Sequence, residues 1–228
     1  HPLHHIYNFG NVSLFFGMGT LLKEAVVEND FCFDDKARIY VLTGPNRGGK
    51  SVITCALGLS QAMLQLGMFL PAESARISPA DAICTHFPTG AEDTIDKGRL
   101  GEECARLDEI LSLISAHSLV LLDESLSSTG SFEASYIAAE VLGGLSVIGC
   151  RTLFSTHLHE LAAEIESINL RAAADGGKPI DTLVAGIEEG HRSFKILRQK
   201  PDGKSYARDI AGRYGLSYET ILKKQKEN

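Results

Sequence analysis

The sequence predicts an α/β fold, with a mainly parallel central sheet and helices on its faces. Three observations predict it. Short strand-length segments, Ile39–Leu42, Leu119–Leu122 and Arg151–Ser155, alternate with longer stretches of helical spacing, the signature of strands joined by crossover helices. The first two are apolar at every position, which suits strands buried on both faces. Both run into residues that can do chemistry, a glycine-rich loop and an Asp-Glu pair, at the strand ends where such sheets place their sites.

The chain has 228 residues, enough for one large or two small domains with a real core. Hydrophobic residues make up 44% and charged residues 22%, a globular balance. No apolar run reaches membrane-span length and no secretory signal is visible, so a cytoplasmic protein with no membrane partner is expected. The net charge of −7 argues against a free-standing nucleic-acid binder, which would carry a basic face. The five cysteines, Cys32, Cys55, Cys84, Cys104 and Cys150, are widely spaced with no C-x-x-C pair. That spacing fits reduced thiols, mostly small core residues, rather than a disulfide framework or zinc site.

In chain order, residues 1–37 mix short apolar runs with the breakers Gly10-Asn11, Gly17-Met18-Gly19 and Asp34-Asp35. Phe31-Cys32-Phe33 reads as a short strand. Ile39–Leu42 is the first buried strand, and 51–67 a helix ended by Gly67 and Pro71. Residues 74–98 read as irregular, with Pro79, Pro88 and Gly90. Leu107, Ile110, Leu111 and Ile114 mark one face of a helix over 101–115. Leu119–Leu122 is the next strand, 132–145 a helix, Arg151–Ser155 a strand and His157–Glu166 a helix. Thr182–Ile187 and Ser193–Leu197 read as a hairpin turning at Glu188–His191. Ser205–Tyr214 and Ser217–Lys226 read as a helix pair joined at Gly215.

The most specific segment is Gly44-Pro45-Asn46-Arg47-Gly48-Gly49-Lys50-Ser51. It is G-x-x-x-x-G-K-S between a strand and a helix, the phosphate-cradling P-loop pattern. Glycines bring backbone N–H groups onto phosphate oxygens without Cβ clashes. The following helix adds the positive end of its dipole. Lys50 can reach the β- and γ-phosphates of ATP, and Ser51 can ligate Mg²⁺. Asp123, at the end of its strand, is the second Mg²⁺ ligand this pattern calls for. Glu124 is placed to orient and deprotonate a water. The plain alternatives are a turn that binds nothing and two solvated acids at a strand end.

Ser155-Thr156-His157 ends the next strand, where His157 can meet a γ-phosphate or simply start a helix. His157, His159 and Glu160 as a metal cluster is disfavoured, because H-x-H at a helix start does not put both rings on one face. Ser127-Ser128-Thr129 reads as an N-cap cluster for the helix near Phe132, or as a surface facing a second subunit.

Together these residues resemble the ATPase domain of the MutS family of DNA mismatch-repair proteins. The resemblance rests on Thr43-Gly44-Pro45-Asn46-x-Gly48-Gly49-Lys50-Ser51, Gly67-x-Phe69-x-Pro71-Ala72 and Ser118–Glu124. It rests further on Thr152-Leu153-Phe154-Ser155-Thr156-His157-x-His159-Glu160-Leu161 and Lys204-Ser205-Tyr206. It implies an ABC-type P-loop ATPase that uses ATP and Mg²⁺ and works as a homodimer. Each nucleotide would lie between one subunit's P-loop and a signature segment of the other. By resemblance Asn46 positions the γ-phosphate, Glu124 the water, and His157 senses the γ-phosphate. Residues 1–200 would form the ATPase domain and 201–228 a helical dimerisation element. DNA would be met through DNA-binding and clamp domains outside this chain.

Three departures mark a divergent member. Arg47 stands where the family usually has Met. The family's S-T-F-x-x-E signature falls on Gly98-Arg99-Leu100-Gly101-Glu102-Glu103, so the serine is missing while Glu103 matches. Gly98 could donate a backbone N–H to a phosphate, and Arg99 a charge in trans. The family's adenine-stacking aromatic aligns with Val26, a loss of about 1 kcal/mol or more of nucleotide affinity. Another kind of ABC ATPase would be marked by an L-S-G-G-Q signature, which is absent. A nucleotide-binding dimerisation module with little turnover stays open because of the missing serine.

Overall fold

The computed structural model describes residues 4–9, 27–34, 36–87, 96–126, 128–188, 191–201, 214–216 and 218–226. Nine strands are described: β1 (His4–Phe9), β2 (Asn29–Phe33), β3 (Ile39–Thr43), β4 (Ala72–Arg76), β5 (Ile83–His86), β6 (Leu119–Asp123), β7 (Arg151–Ser155), β8 (Ile180–Glu188) and β9 (His191–Arg198). The described helices are α1 (Lys50–Gln65), α2 (Asp96–Leu113), α3 (Ser131–Ile148), α4 (His159–Ala163), α5 (Ile165–Ala173) and α6 (Tyr218–Lys226).

The central sheet has six strands in the order β5-β6-β7-β3-β8-β9. All neighbours are parallel except the β8–β9 hairpin. This is the mixed α/β fold with a mostly parallel sheet that the apolar runs predict. Strands β3, β6 and β7 are buried at every residue. Alternate side chains go to opposite faces, because successive Cβ atoms in a strand do. Ile39, Val41, Val120, Leu122 and Phe154 pack against α2 to α5, whereas Tyr40, Leu42, Leu119, Leu121 and Leu153 pack against α1 and β2. Two cores therefore sandwich one sheet.

The segment Phe31–Phe33 is a strand, as expected, but it belongs to a separate sheet of order β2-β1-β4. That sheet docks through aromatic contacts, with Phe31 edge-on to Phe33 at 4.9 Å and to Tyr40 at 5.4 Å. Arg198 lies over the Tyr40 ring and bonds Asp34 at 2.9 Å and Asp181 at 2.7 Å, tying the two sheets together.

Residues 74–98, read as irregular, instead contribute most of β4, all of β5 and the start of α2. The helix read over 157–166 starts at His159 and is divided at Glu164 into α4 and α5. The N-cap of α3 is Gly130, with no side-chain cap. Ser128 donates instead to Glu103 and Thr129 to Glu133, which corrects the capping role read for that cluster. Of the C-terminal helix pair, α6 is described; its expected partner lies outside the described residues apart from Tyr214, which sits in a turn. Of the cysteines only Cys150 is fully buried; the other four are half-buried and all five are free thiols. Among the described residues one helix, α3, is long and apolar enough to cross a membrane; its Ala134, Ala138, Leu142 and Leu145 are buried in the core.

Candidate functional site

The carboxyl ends of β3, β7 and β6 lie side by side, with Leu42 opposite Ser155 and Ser155 opposite Asp123. The glycine-rich loop leaves β3, and Asp123-Glu124 leaves β6, so the two sequence motifs meet at one edge.

Backbone strain shapes the loop. Gly44 has φ 134°, and a Cβ there would lie 2.7 Å from the Ala185 Cβ. Gly49 caps α1 at φ 92° with no side-chain cap. Arg47 is a non-glycine at φ 61° and is exposed, as is Asn46 beside it. The first N–H groups of an α-helix lack intrahelical acceptors, and at α1 no side chain takes the cap, which leaves them for an anion.

Lys50 opens α1 and is only 4% exposed. Its Nζ donates to Gly44 O at 3.0 Å and Pro45 O at 3.3 Å, and stands 3.9 Å from Glu124 Oε1. Burial pushes the ammonium below its ordinary value, and Glu124 and Asp123 pull it partly back. Ser51, next along, is exposed.

Asp123 is 3% exposed. Its Oδ1 accepts from Ser155 Oγ at 2.6 Å, and Ser155 Oγ lies 2.9 Å from Thr54 Oγ1 on α1. A three-residue polar chain thus joins β6, β7 and α1 beneath the loop. Glu124 turns out of the strand at φ 48°, its N–H bonded to Ser155 O at 2.8 Å. His157 is exposed just past β7, in a turn held by Thr156 N–H to Leu42 O and Leu158 N–H to Thr156 Oγ1. Among the described residues no group of three or more His, Cys, Asp or Glu could hold a metal.

The structure therefore brings together Gly44 to Ser51, Asp123 and Glu124, with His157 at the neighbouring strand end. Val26 lies outside the described residues. Asn29, nearby in sequence, is fastened to β9: its side chain donates to Phe194 O at 3.1 Å and accepts from Ile196 N–H at 2.7 Å. Phe194 itself has φ 57°, and its ring stands next to Gly49. Sequence reasoning gave no role to Thr54, Ser155, His86, Ser125 or Phe194. The positive φ of Phe194 has no sequence signal at all.

Residues 40–208 match the family MutS domain V. This chain belongs to the MutS family. It is 40% identical over 199 residues to the DNA mismatch repair protein MutS of Prochlorococcus marinus (strain MIT 9312), covering 86% of the chain and 21% of that relative. It is 33% identical over 207 residues to the MutS of Fervidobacterium nodosum, covering 88% and 24%. It is 42% identical over 132 residues to human DNA mismatch repair protein Msh6, covering 57% and 10%. The chain spans about a quarter or less of the length of these curated relatives.

Proposed function

We propose that this chain is the ABC-type P-loop ATPase segment of a divergent MutS-like DNA repair protein. The observation that carries the proposal is Lys50, buried at the start of α1 just past the loop that follows β3, and facing Glu124 at 3.9 Å. A γ-phosphate and its attacking water would enter between the two side chains, which must part from this 3.9 Å approach to admit them. In this reading Gly44, Pro45, Asn46, Arg47, Gly48 and Gly49 wrap the phosphates, and Lys50 neutralises them. Glu124 takes the proton of the water. His157 reports on the γ-phosphate.

Ser51 and Asp123 fit Mg²⁺: they are hard oxygen donors, and the exposure of Ser51 leaves room for the waters this ion keeps. The ion would offset phosphate charge. Ser155 and Thr54 hold the Asp123 carboxylate in one orientation for it.

The dimeric arrangement finds support in two places. Gly98 lies on α2 and is exposed, open to a second subunit. On α6, Tyr218, Ile221 and Leu222 form an exposed apolar stripe at helical spacing, suited to a dimerisation element over 201–228. DNA would be engaged by other domains, consistent with the acidic charge of this one. The absent signature serine favours a second reading, a nucleotide-binding dimerisation module with little turnover.

The test is Mg²⁺-dependent ATP hydrolysis across protein concentration, beside Glu124→Gln. Specific activity should rise with concentration and fall about 100-fold in the variant while ATP binding persists. A slow rate independent of both would put the second reading ahead.

A further inference from the structure

His86 ends β5 beneath the turn that follows β6 and is 6% exposed. Its Nδ1 lies 2.7 Å from Ser125 Oγ, and Ser125 is buried as well. Its Nε2 is buried with no partner among the described residues. A neutral ring carries one N–H. On Nδ1 that proton has Ser125 Oγ as acceptor and Nε2 keeps only a lone pair; on Nε2 it would be a stranded donor. The bond therefore runs from Nδ1–H to Ser125.

Ser125 lies between two residues in left-handed backbone, Glu124 at φ 48° and Leu126 at φ 65°. Such conformations persist where the surroundings over-determine them. Three anchors do so here. The Glu124 N–H is bonded to Ser155 O, and the Leu126 side chain is locked in the core. The third, between the two strained residues, is the His86–Ser125 bond. It is the one made between two side chains, 39 residues apart in sequence.

We propose that His86 is a positioning residue for Glu124. Through Ser125 it holds the left-handed turn that aims the Glu124 carboxylate at the Lys50 side of the site. The inference rests on the reading of Glu124 as the base. The charged groups facing His86 are Glu103 and Arg106 of α2. Glu103 also accepts from Ser128, beyond the turn. Without the Ser125 anchor the turn relaxes toward right-handed backbone, and the carboxylate loses its aim while the phosphate loop is untouched.

The test measures steady-state hydrolysis and equilibrium ATP binding for His86→Leu, Ser125→Ala, the pair combined, and His86→Asn. Each is also made with Glu124→Gln. A displacement of this kind should lower kcat about ten- to 100-fold, with KM and ATP binding near those of the parent. The double variant should lose no more than either single one. His86→Asn, whose terminal amide lies near the Nδ1 position, should recover most of kcat. With Glu124→Gln present, neither change should lower the rate further. Full turnover by Glu124→Gln itself would overturn the base reading. Loss in Glu124→Gln, with parental kcat in both Ser125→Ala and His86→Leu, would overturn the positioning role alone. So would equal losses of kcat and ATP binding that His86→Asn does not rescue, which is the mark of general destabilisation.

Discussion

At the carboxyl edge of the central sheet Lys50 is buried beside a loop with positive φ at Gly44, Arg47 and Gly49; at the amino edge Arg151 is buried among residues that bond it from ordinary backbone, Gln61, Ser78 and His117. Arg151 is 2% exposed. Its guanidinium donates to Gln61 Oε1 at 3.1 Å, Ser78 O at 3.4 Å and His117 O at 3.1 Å. Burial brings its pKa down to about 10, with Arg38 adding and Asp81 opposing. Three separate segments thus converge on one rigid fork. Lys50 has three protons and two carbonyl acceptors. Its nearest carboxylate stands beyond hydrogen-bond length. A buried cation that faces two carboxylates across a loop with positive-φ residues is set up for a ligand; a buried cation bonded to three separate segments of the fold is set up for stability.

That contrast breaks first at Arg151. Arg151→Met should destabilise the fold by about 3 kcal/mol or more, since it leaves a buried amide and two carbonyls without their donor and removes packing. Urea unfolding measures it. Hydrolysis per folded molecule should stay near that of the parent. If turnover collapsed while stability held, the amino edge would belong to the site after all.

Lys50→Met should do the reverse. Charge-assisted hydrogen bonds to phosphate are worth roughly 2–3 kcal/mol, so ATP affinity or turnover should fall about 100-fold. The nucleotide-free variant should melt no lower than the parent, because burial already disfavours the charged amine. A large loss of stability would show that Lys50 serves the fold as Arg151 does.

The two edges also differ in how far the sequence exposes them. The phosphate loop and Asp123-Glu124 are legible because their chemistry demands particular residues in a row, and β3, β6 and β7 because burial on both faces makes them apolar throughout. Strand β4 is not legible: Glu73 to Arg76 are exposed, three of the four polar, and among the described residues the strand pairs with β1 alone. The polar struts are hidden for another reason. Thr54 and Ser155 are 101 residues apart and each is a single hydroxyl in an apolar segment, so no local pattern marks their contact. Arg151 reads as the first residue of an apolar strand, and only the fold shows what surrounds it.

The smallest expected effect separates the edges by pH. Burial pushes the His86 imidazole below its ordinary value of 6.5, Glu103 opposing and Arg106 adding. Between the folded value and 6.5 the unfolded chain binds the extra proton, so stability rises with pH there. It is complete above 6.5 and is lost as pH falls through the folded value. Asp81, at the amino edge, is lowered from 3.8 by hydrogen bonds from Ser115 and Ser118. Its contribution is present above 3.8 and is lost only as pH falls through its own folded value. Acidifying from about 7 to about 5 should therefore loosen the carboxyl edge alone. Hydrogen exchange, corrected for intrinsic rates, would read this as faster opening at Glu124 to Leu126 with protection unchanged at Ser118 and Leu119. His86→Asn, which cannot titrate, should abolish the difference. The effect is modest because the charged ring keeps its Nδ1–H bond to Ser125, and the cost is only the buried charge and the second N–H at Nε2. Leu126 and the Glu124–Ser155 bond still hold the turn. Equal loosening at both edges would mean that the acid response comes from the whole fold, and that the carboxyl edge is no more finely poised than the frame opposite it.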